Sequence, residues 1–187
     1  ADFKREFRDK LNRLAKLNFN TVLFQVRPTN DAFYPSRINP WSRNLTGEEG
    51  RGIPGFDPLR FMIEECHARN MEFHAWLNPY RVIGKTKLGK NEYLKNLDSK
   101  NFARKNPELV LAAPLSNGEE LLFLNPGEPR VIRHVVDTVT EIAENYPVDA
   151  IHFDDYFYPY SNFGNIDAAT HKRYGKGKDL SLIHISE

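Results

Sequence analysis

Apolar positions recur along this chain at two spacings, and the alternation between them predicts its elements. Phe3, Phe7, Leu11 and Leu14 repeat at helical intervals behind Asp2, which is placed to cap a helix ending near Asn18. Residues 21–27 form a β-branched and aromatic run stopped by Pro28, which reads as a strand buried on both faces. The Pro- and Gly-rich stretch 47–58 reads as a long loop inside one domain. Asp57-Pro58 then supplies an N-cap and a first-turn proline, with Leu59, Met62, Ile63 and Cys66 at helical spacing and Asn70 closing the helix. Residues 71–77 are the next strand, ended by Asn78-Pro79, and residues 121–124 are a shorter one. Pro129 starts the best-patterned helix, with Ile132, Val135, Val136, Val139, Ile142 and Ala143 on one face and Pro147 at its end. Residues 150–157 are the last strand.

Strand, helix, strand, helix, strand in this order implies right-handed parallel crossovers, hence an α/β architecture, either a (β/α) barrel or an open doubly wound sheet. No GxGxxG or GxxxxGK[ST] motif supports a nucleotide-binding open sheet, which favours the barrel.

Composition narrows the partners. With 26 Lys and Arg against 25 Asp and Glu, the formal charge is +1, and neither nucleic acid nor an anionic lipid surface is indicated. At 40% hydrophobic and 27% charged, the chain of 187 residues has the make-up of one globular domain. Its apolar runs, such as 109–113, fall far short of the roughly 20 residues of a membrane helix. The single cysteine, Cys66, lies in a helical pattern and reads as a core thiol.

Strand alternation sorts the chemistry. Gln25 and Arg27 share one face against Phe24 and Val26; His74, Trp76 and Asn78 oppose Phe73, Ala75 and Leu77; His152 and Asp154 oppose Ile151 and Phe153. In a parallel barrel the apolar faces meet the helices, and the polar groups converge at the carboxyl ends of the strands, where barrel enzymes keep their chemistry. Taken singly, His74 and His152 read as satisfied core histidines more often than as catalysts. Arg27 can neutralise a neighbouring carboxylate or clamp a substrate. Asp154, ending an apolar run, must be paired, solvated in a cleft or functional, and function is favoured. Its neighbour Asp155 points to the opposite face, so the two are no dyad. Glycoside hydrolysis places two carboxyls about 5 to 9.5 Å apart, so a second carboxylate comes from another loop, with Asp31 and Glu128 as candidates. Tyr156 and Tyr158 pack a core or stack on sugar faces.

Four stretches carry a resemblance: 25–34 (QVRPTNDAFY), 72–81 (EFHAWLNPYR), 124–127 (LNPG) and 151–159 (IHFDDYFYP). Together, in this order, they resemble the glycosyl hydrolase-like 10 family. The resemblance implies a TIM-type barrel related to the retaining amylase-like glycosidases, in bacterial proteins acting at the envelope or outside the cell. It implies that Asp154, in a His152-x-Asp154 arrangement similar to the Arg-x-Asp of amylase-like enzymes, is the nucleophile, with Asp155 beside it as the other catalytic candidate. It implies that Arg27, His74, Asn78, Tyr80 and Arg81 line the sugar-binding cleft, and Asp31, Trp76, Asn125, His152, Tyr156 and Tyr158 are further candidates for binding the carbohydrate. Family members add a strand before this chain and further strand-helix units after it, so the expectation is a partial barrel over 1–174 with 175–187 a truncated or foreign tail. A barrel takes roughly 250 residues. The general acid is then expected beyond residue 187, leaving this chain inactive alone.

The expected function is hydrolysis of glycosidic bonds in a poly- or oligosaccharide through a carboxylate nucleophile, with neither cofactor nor metal required. Two rivals stand beside it. A metal-dependent hydrolase would use His74, His152 and Asp154 or Asp155, without HExxH-type spacing to support it. A non-catalytic carbohydrate-binding protein would keep the aromatic cleft without turnover.

Overall fold

The computed structural model describes residues 2–154 and 165–175. In chain order the elements are α1 (Asp2–Lys16), β1 (Thr21–Arg27), α2 (Arg43–Thr46), α3 (Pro58–His67), β2 (Glu72–Leu77), β3 (Arg81–Thr86), α4 (Lys90–Lys95), α5 (Phe102–Lys105), β4 (Val110–Pro114), β5 (Glu120–Leu124), α6 (Pro129–Asn145), β6 (Ala150–His152) and α7 (Ala168–Tyr174). The strands form two sheets, a parallel one in the order β1-β2-β6 and an antiparallel one in the order β3-β5-β4.

Local chemistry accounts for the helix ends. The first helix already includes Asp2, and it stops where Asn18, at φ +60°, takes the left-handed conformation that a short polar side chain tolerates. Asp57 caps α3 by accepting from the Arg60 amide at 3.1 Å, Pro58 opens its first turn, and Asn70 at φ +55° turns the chain into β2.

One apolar core lies between the parallel sheet and its helices. Phe73, Ala75 and Leu77 of β2 pack there with Phe7 and Leu11 of α1, with Leu59, Met62, Ile63 and Cys66 of α3, and with Ile142 of α6. Val22, Phe24 and Ile151 line the same side, so the apolar faces of all three parallel strands meet the helices. A second core, under the antiparallel sheet, gathers Val82, Leu94, Val110, Leu122, Leu124 and Val131.

Four features differ from the sequence reading. The last strand, expected over 150–157, ends at His152, and Phe153 and Asp154 lie outside it. Residues 121–124 are a strand, but one held in the antiparallel sheet; β3, β4 and the short helices α4 and α5 join it in an insertion between β2 and α6. The insertion lacked a clear period because its strands are short and irregular, with register shifts along β3. The expected alternation of Gln25 and Arg27 fails as well. Gln25 pairs with Trp76, yet Arg27 pairs with Leu77, a register shift that places Val26 as an extra residue and brings Arg27 into line with the core-facing position of β2. In α6, finally, the buried stripe is Val131, His134, Thr138 and Ile142, while Ile132 and Val136 are exposed. That helix spans both cores, and polar partners on the facing loops make His134 and Thr138 the residues it buries: Thr138 Oγ1 accepts from Asn39 Nδ2 at 3.1 Å.

Candidate active site

The face of the parallel sheet turned away from the helices carries Leu23 and Gln25 of β1, His74 and Trp76 of β2 and His152 of β6. Register fixes its layers. His74 lies opposite Leu23 and Ala150, whereas Trp76 lies between Gln25 and His152. β6 ends at His152, so Asp154 lies two residues past its carboxyl end.

The lower layer is locally satisfied, since the His74 ring lies 3.0 Å from Glu72 Oε2. The layer above is different. The Trp76 and His152 rings meet edge to face with centroids 6.1 Å apart. Among the described residues, Gln25 Nε2, Trp76 Nε1 and Asp154 Oδ1 are buried polar atoms with no hydrogen-bond partner. Two orphaned donors thus come from paired positions on one face of the sheet, and one orphaned acceptor lies two residues past the end of the adjoining strand. Because buried polar atoms ordinarily find partners, such a concentration marks a surface built to receive polar groups from elsewhere.

The other sequence candidates divide into two groups. Arg27 is 1% exposed. Its Nη1 donates to the carbonyls of Asn78 at 2.6 Å and Pro79 at 3.2 Å, and its Nη2 donates to Asn30 Oδ1 at 2.9 Å. Burial lowers the guanidinium to about 10, so it remains charged at neutral pH. Arg27 therefore braces the turn leaving β2 from within. Asn78 shapes that same turn, its Oδ1 accepting from the Tyr80 amide at 3.3 Å and the Arg81 amide at 2.9 Å, which starts β3. Tyr80 and Arg81 are half-buried at the base of the insertion, and burial pushes the Tyr80 phenol up. Asp31 is buried and accepts from the Thr29 amide at 3.2 Å. Asn125 is buried and donates to Thr170 Oγ1 at 2.7 Å, which in turn donates to Glu128 Oε1 at 2.8 Å. Both candidates for the second carboxylate are thus interior brackets.

Asp155, Tyr156 and Tyr158 lie outside the described residues. Among those described, no group of three or more His, Cys, Asp or Glu side chains could hold a metal ion. No described helix is long and apolar enough to cross a membrane.

Two participants were missed by sequence reasoning. Gln25 was placed on the polar face, but an amide in an apolar strand gives no catalytic signal. His134 was overlooked on α6, although its spacing from Val131 and Thr138 follows the buried stripe.

A parallel sheet with helices on one face and polar groups gathered toward the carboxyl ends of its strands on the other is the layout of α/β enzymes. Residues 3–185 match the family described as glycosyl hydrolase-like 10, and the chain belongs to that family. It is 44% identical over 176 residues to Glycosyl hydrolase YngK of Bacillus subtilis (strain 168), covering 92% of this chain and 32% of that protein. Against Glycosyl hydrolase DigH of Escherichia coli (strain K12) it is 41% identical over 171 residues, covering 89% of this chain and 38% of that one. The chain thus spans about a third of the length of these relatives. Among solved structures, the α-galactosidase of Thermus thermophilus aligns with a TM-score of 0.50 at 16% identity over 92% of this chain and 31% of its own. The GH36 α-galactosidase AgaA of Geobacillus stearothermophilus aligns with a TM-score of 0.51 at 14% identity over 81% of this chain and 19% of its own. At such identities the likeness is one of fold.

Proposed function

We propose that the chain is part of a (β/α)-barrel glycoside hydrolase in which Asp154 acts as nucleophile, or as the carboxylate that stabilises an oxocarbenium-like centre. The observation that carries this reading is Asp154 Oδ1, buried and without a partner among the described residues, two residues beyond the end of β6, the strand whose His152 meets Trp76. A carboxylate in that position attacks the anomeric carbon as the glycosidic C–O bond breaks. The leaving oxygen takes a proton from a general acid, and water later releases the sugar from the enzyme. Family membership and the fold of the α-galactosidases support the reaction class. Because Asp31 and Glu128 are committed to interior hydrogen bonds, the general acid is assigned to a residue outside the described part.

The test is product release from a panel of bacterial wall and plant glycans by the complete protein, wild type beside Asp154→Ala. A loss of several orders of magnitude in the variant is the expected result. Activity that survives the substitution overturns the assignment of Asp154, and sugar binding with no products in either protein replaces the enzyme by a carbohydrate-binding protein.

A further inference from the structure

Gln25 and Trp76 are register partners on adjacent parallel strands, so their Cα atoms lie about 5 Å apart and their side chains leave the sheet on the same side. Each buries one N–H donor, Nε2 and Nε1 respectively, that has no acceptor among the described residues. The indole N–H can only donate, so no rotation of Trp76 converts it into an acceptor. Two unpartnered donors on side chains that leave one face from paired positions call for a group with lone pairs, and a hydroxyl-type oxygen, with two lone pairs and a proton of its own, suits them best. The third orphan, Asp154 Oδ1, is an acceptor two residues past the end of β6, the strand beside Trp76. A molecule carrying several hydroxyls, each both donor and acceptor, can satisfy all three atoms together.

We propose that Gln25 and Trp76 form a two-donor site that takes one hydroxyl oxygen, from water when the face is bare and from the sugar when it is loaded, and that this contact sets which sugar sits against Asp154. The inference rests on reading the inward face as the sugar site. It does not depend on Asp154 being the nucleophile. Trp76 thereby acts through the edge of its indole, and Gln25 becomes a specificity residue.

The test has a structural and a kinetic arm, both on the complete protein. A crystal structure fine enough to place waters is expected to show one oxygen about 2.7–3.2 Å from both Gln25 Nε2 and Trp76 Nε1. Trp76→Phe and Gln25→Leu each remove one donor while keeping apolar bulk, and they are expected to lose that oxygen. On a glycan that the wild type cleaves, each is expected to lower kcat/KM about tenfold, the worth of one neutral hydrogen bond. Two results overturn the proposal: a Gln25 amide turned so that Oε1 accepts directly from Trp76 Nε1, or both variants cleaving as well as wild type. Should the glycan panel yield no cleavage at all, the crystal structure decides the two-donor site by itself, and the failure belongs to the catalytic reading.

Discussion

Arg27 and His134, 107 residues apart in the chain, meet with Nη2 3.3 Å from Nε2. A guanidinium has only donors, so His134 Nε2 must hold its lone pair toward Arg27, and the ring is a neutral imidazole with its proton on Nδ1. The same ring stacks on Phe102 with centroids 4.1 Å apart at 10°. End of β1, turn after β2, insertion and α6 are thus joined through two side chains, Arg27 and His134.

Removing that brace is expected to be costly. Arg27→Met leaves the Asn78 and Pro79 carbonyls and Asn30 Oδ1 without their buried donor, and the unfolding free energy should fall by about 3 kcal/mol. Urea titration followed by tryptophan fluorescence measures this. Arg27→Lys should recover only part of the loss, because one ammonium cannot replace a fork of donors.

His134 introduces a pH dependence. Burial, with Arg27 alongside, holds its imidazole down at about 3. An unfolded chain titrates this group near 6.5, so between pH 6.5 and 3 the unfolded state binds the extra proton. Stability from this residue is therefore complete above pH 6.5 and falls as the pH drops, with a slope of up to about 1.4 kcal/mol per pH unit. Urea midpoints measured from pH 7 to pH 4 should show the slope in wild type and lose it in His134→Gln.

Asp149 contributes in a lower window. Its carboxylate accepts from the Phe73 amide at 2.7 Å and lies 2.8 Å from His67 Nε2, which holds it below the usual aspartate range. A depressed folded value means that its stabilisation is present above pH 3.8 and lost as the pH falls through the folded value. Asp149→Asn should cost about 1 kcal/mol at neutral pH, because a charge-assisted hydrogen bond to the start of β2 is lost, and should flatten the acid limb below pH 4.

Close packing at Gly127 gives a paired prediction. A Cβ there would come within 2.8 Å of Thr170 Cγ2, on the helix that Asn125 and Glu128 hold. Gly127→Ala should destabilise by about 1–2 kcal/mol, and adding Thr170→Ser, which keeps the hydroxyl and removes the methyl, should restore most of it. Additive losses in the thermal unfolding of the double variant would refute the contact.

What the sequence determined by itself is local. The caps and prolines that bound α3 and α6, the apolar stripes of α1 and α3, and the greasy face of each parallel strand follow from spacing and dihedral preference, which need no distant partner. Asp154 was legible for the same reason, as an ionisable group at the end of an apolar run. Tertiary structure decided which polar groups face a site and which brace the interior. Arg27 and Asn125 look like ligands in sequence, yet each donates to interior partners far along the chain, Arg27 to the Asn78 and Pro79 carbonyls and Asn125 to Thr170. A single register shift at Val26 moves Arg27 off the face that alternation assigns it, and such a shift is set by strand pairing, which no local pattern encodes. The pairing of Gln25 with Trp76 is likewise a property of the sheet. Two residues 51 positions apart become neighbours only when β1 and β2 align, and only then do their unmatched donors define a place for an oxygen.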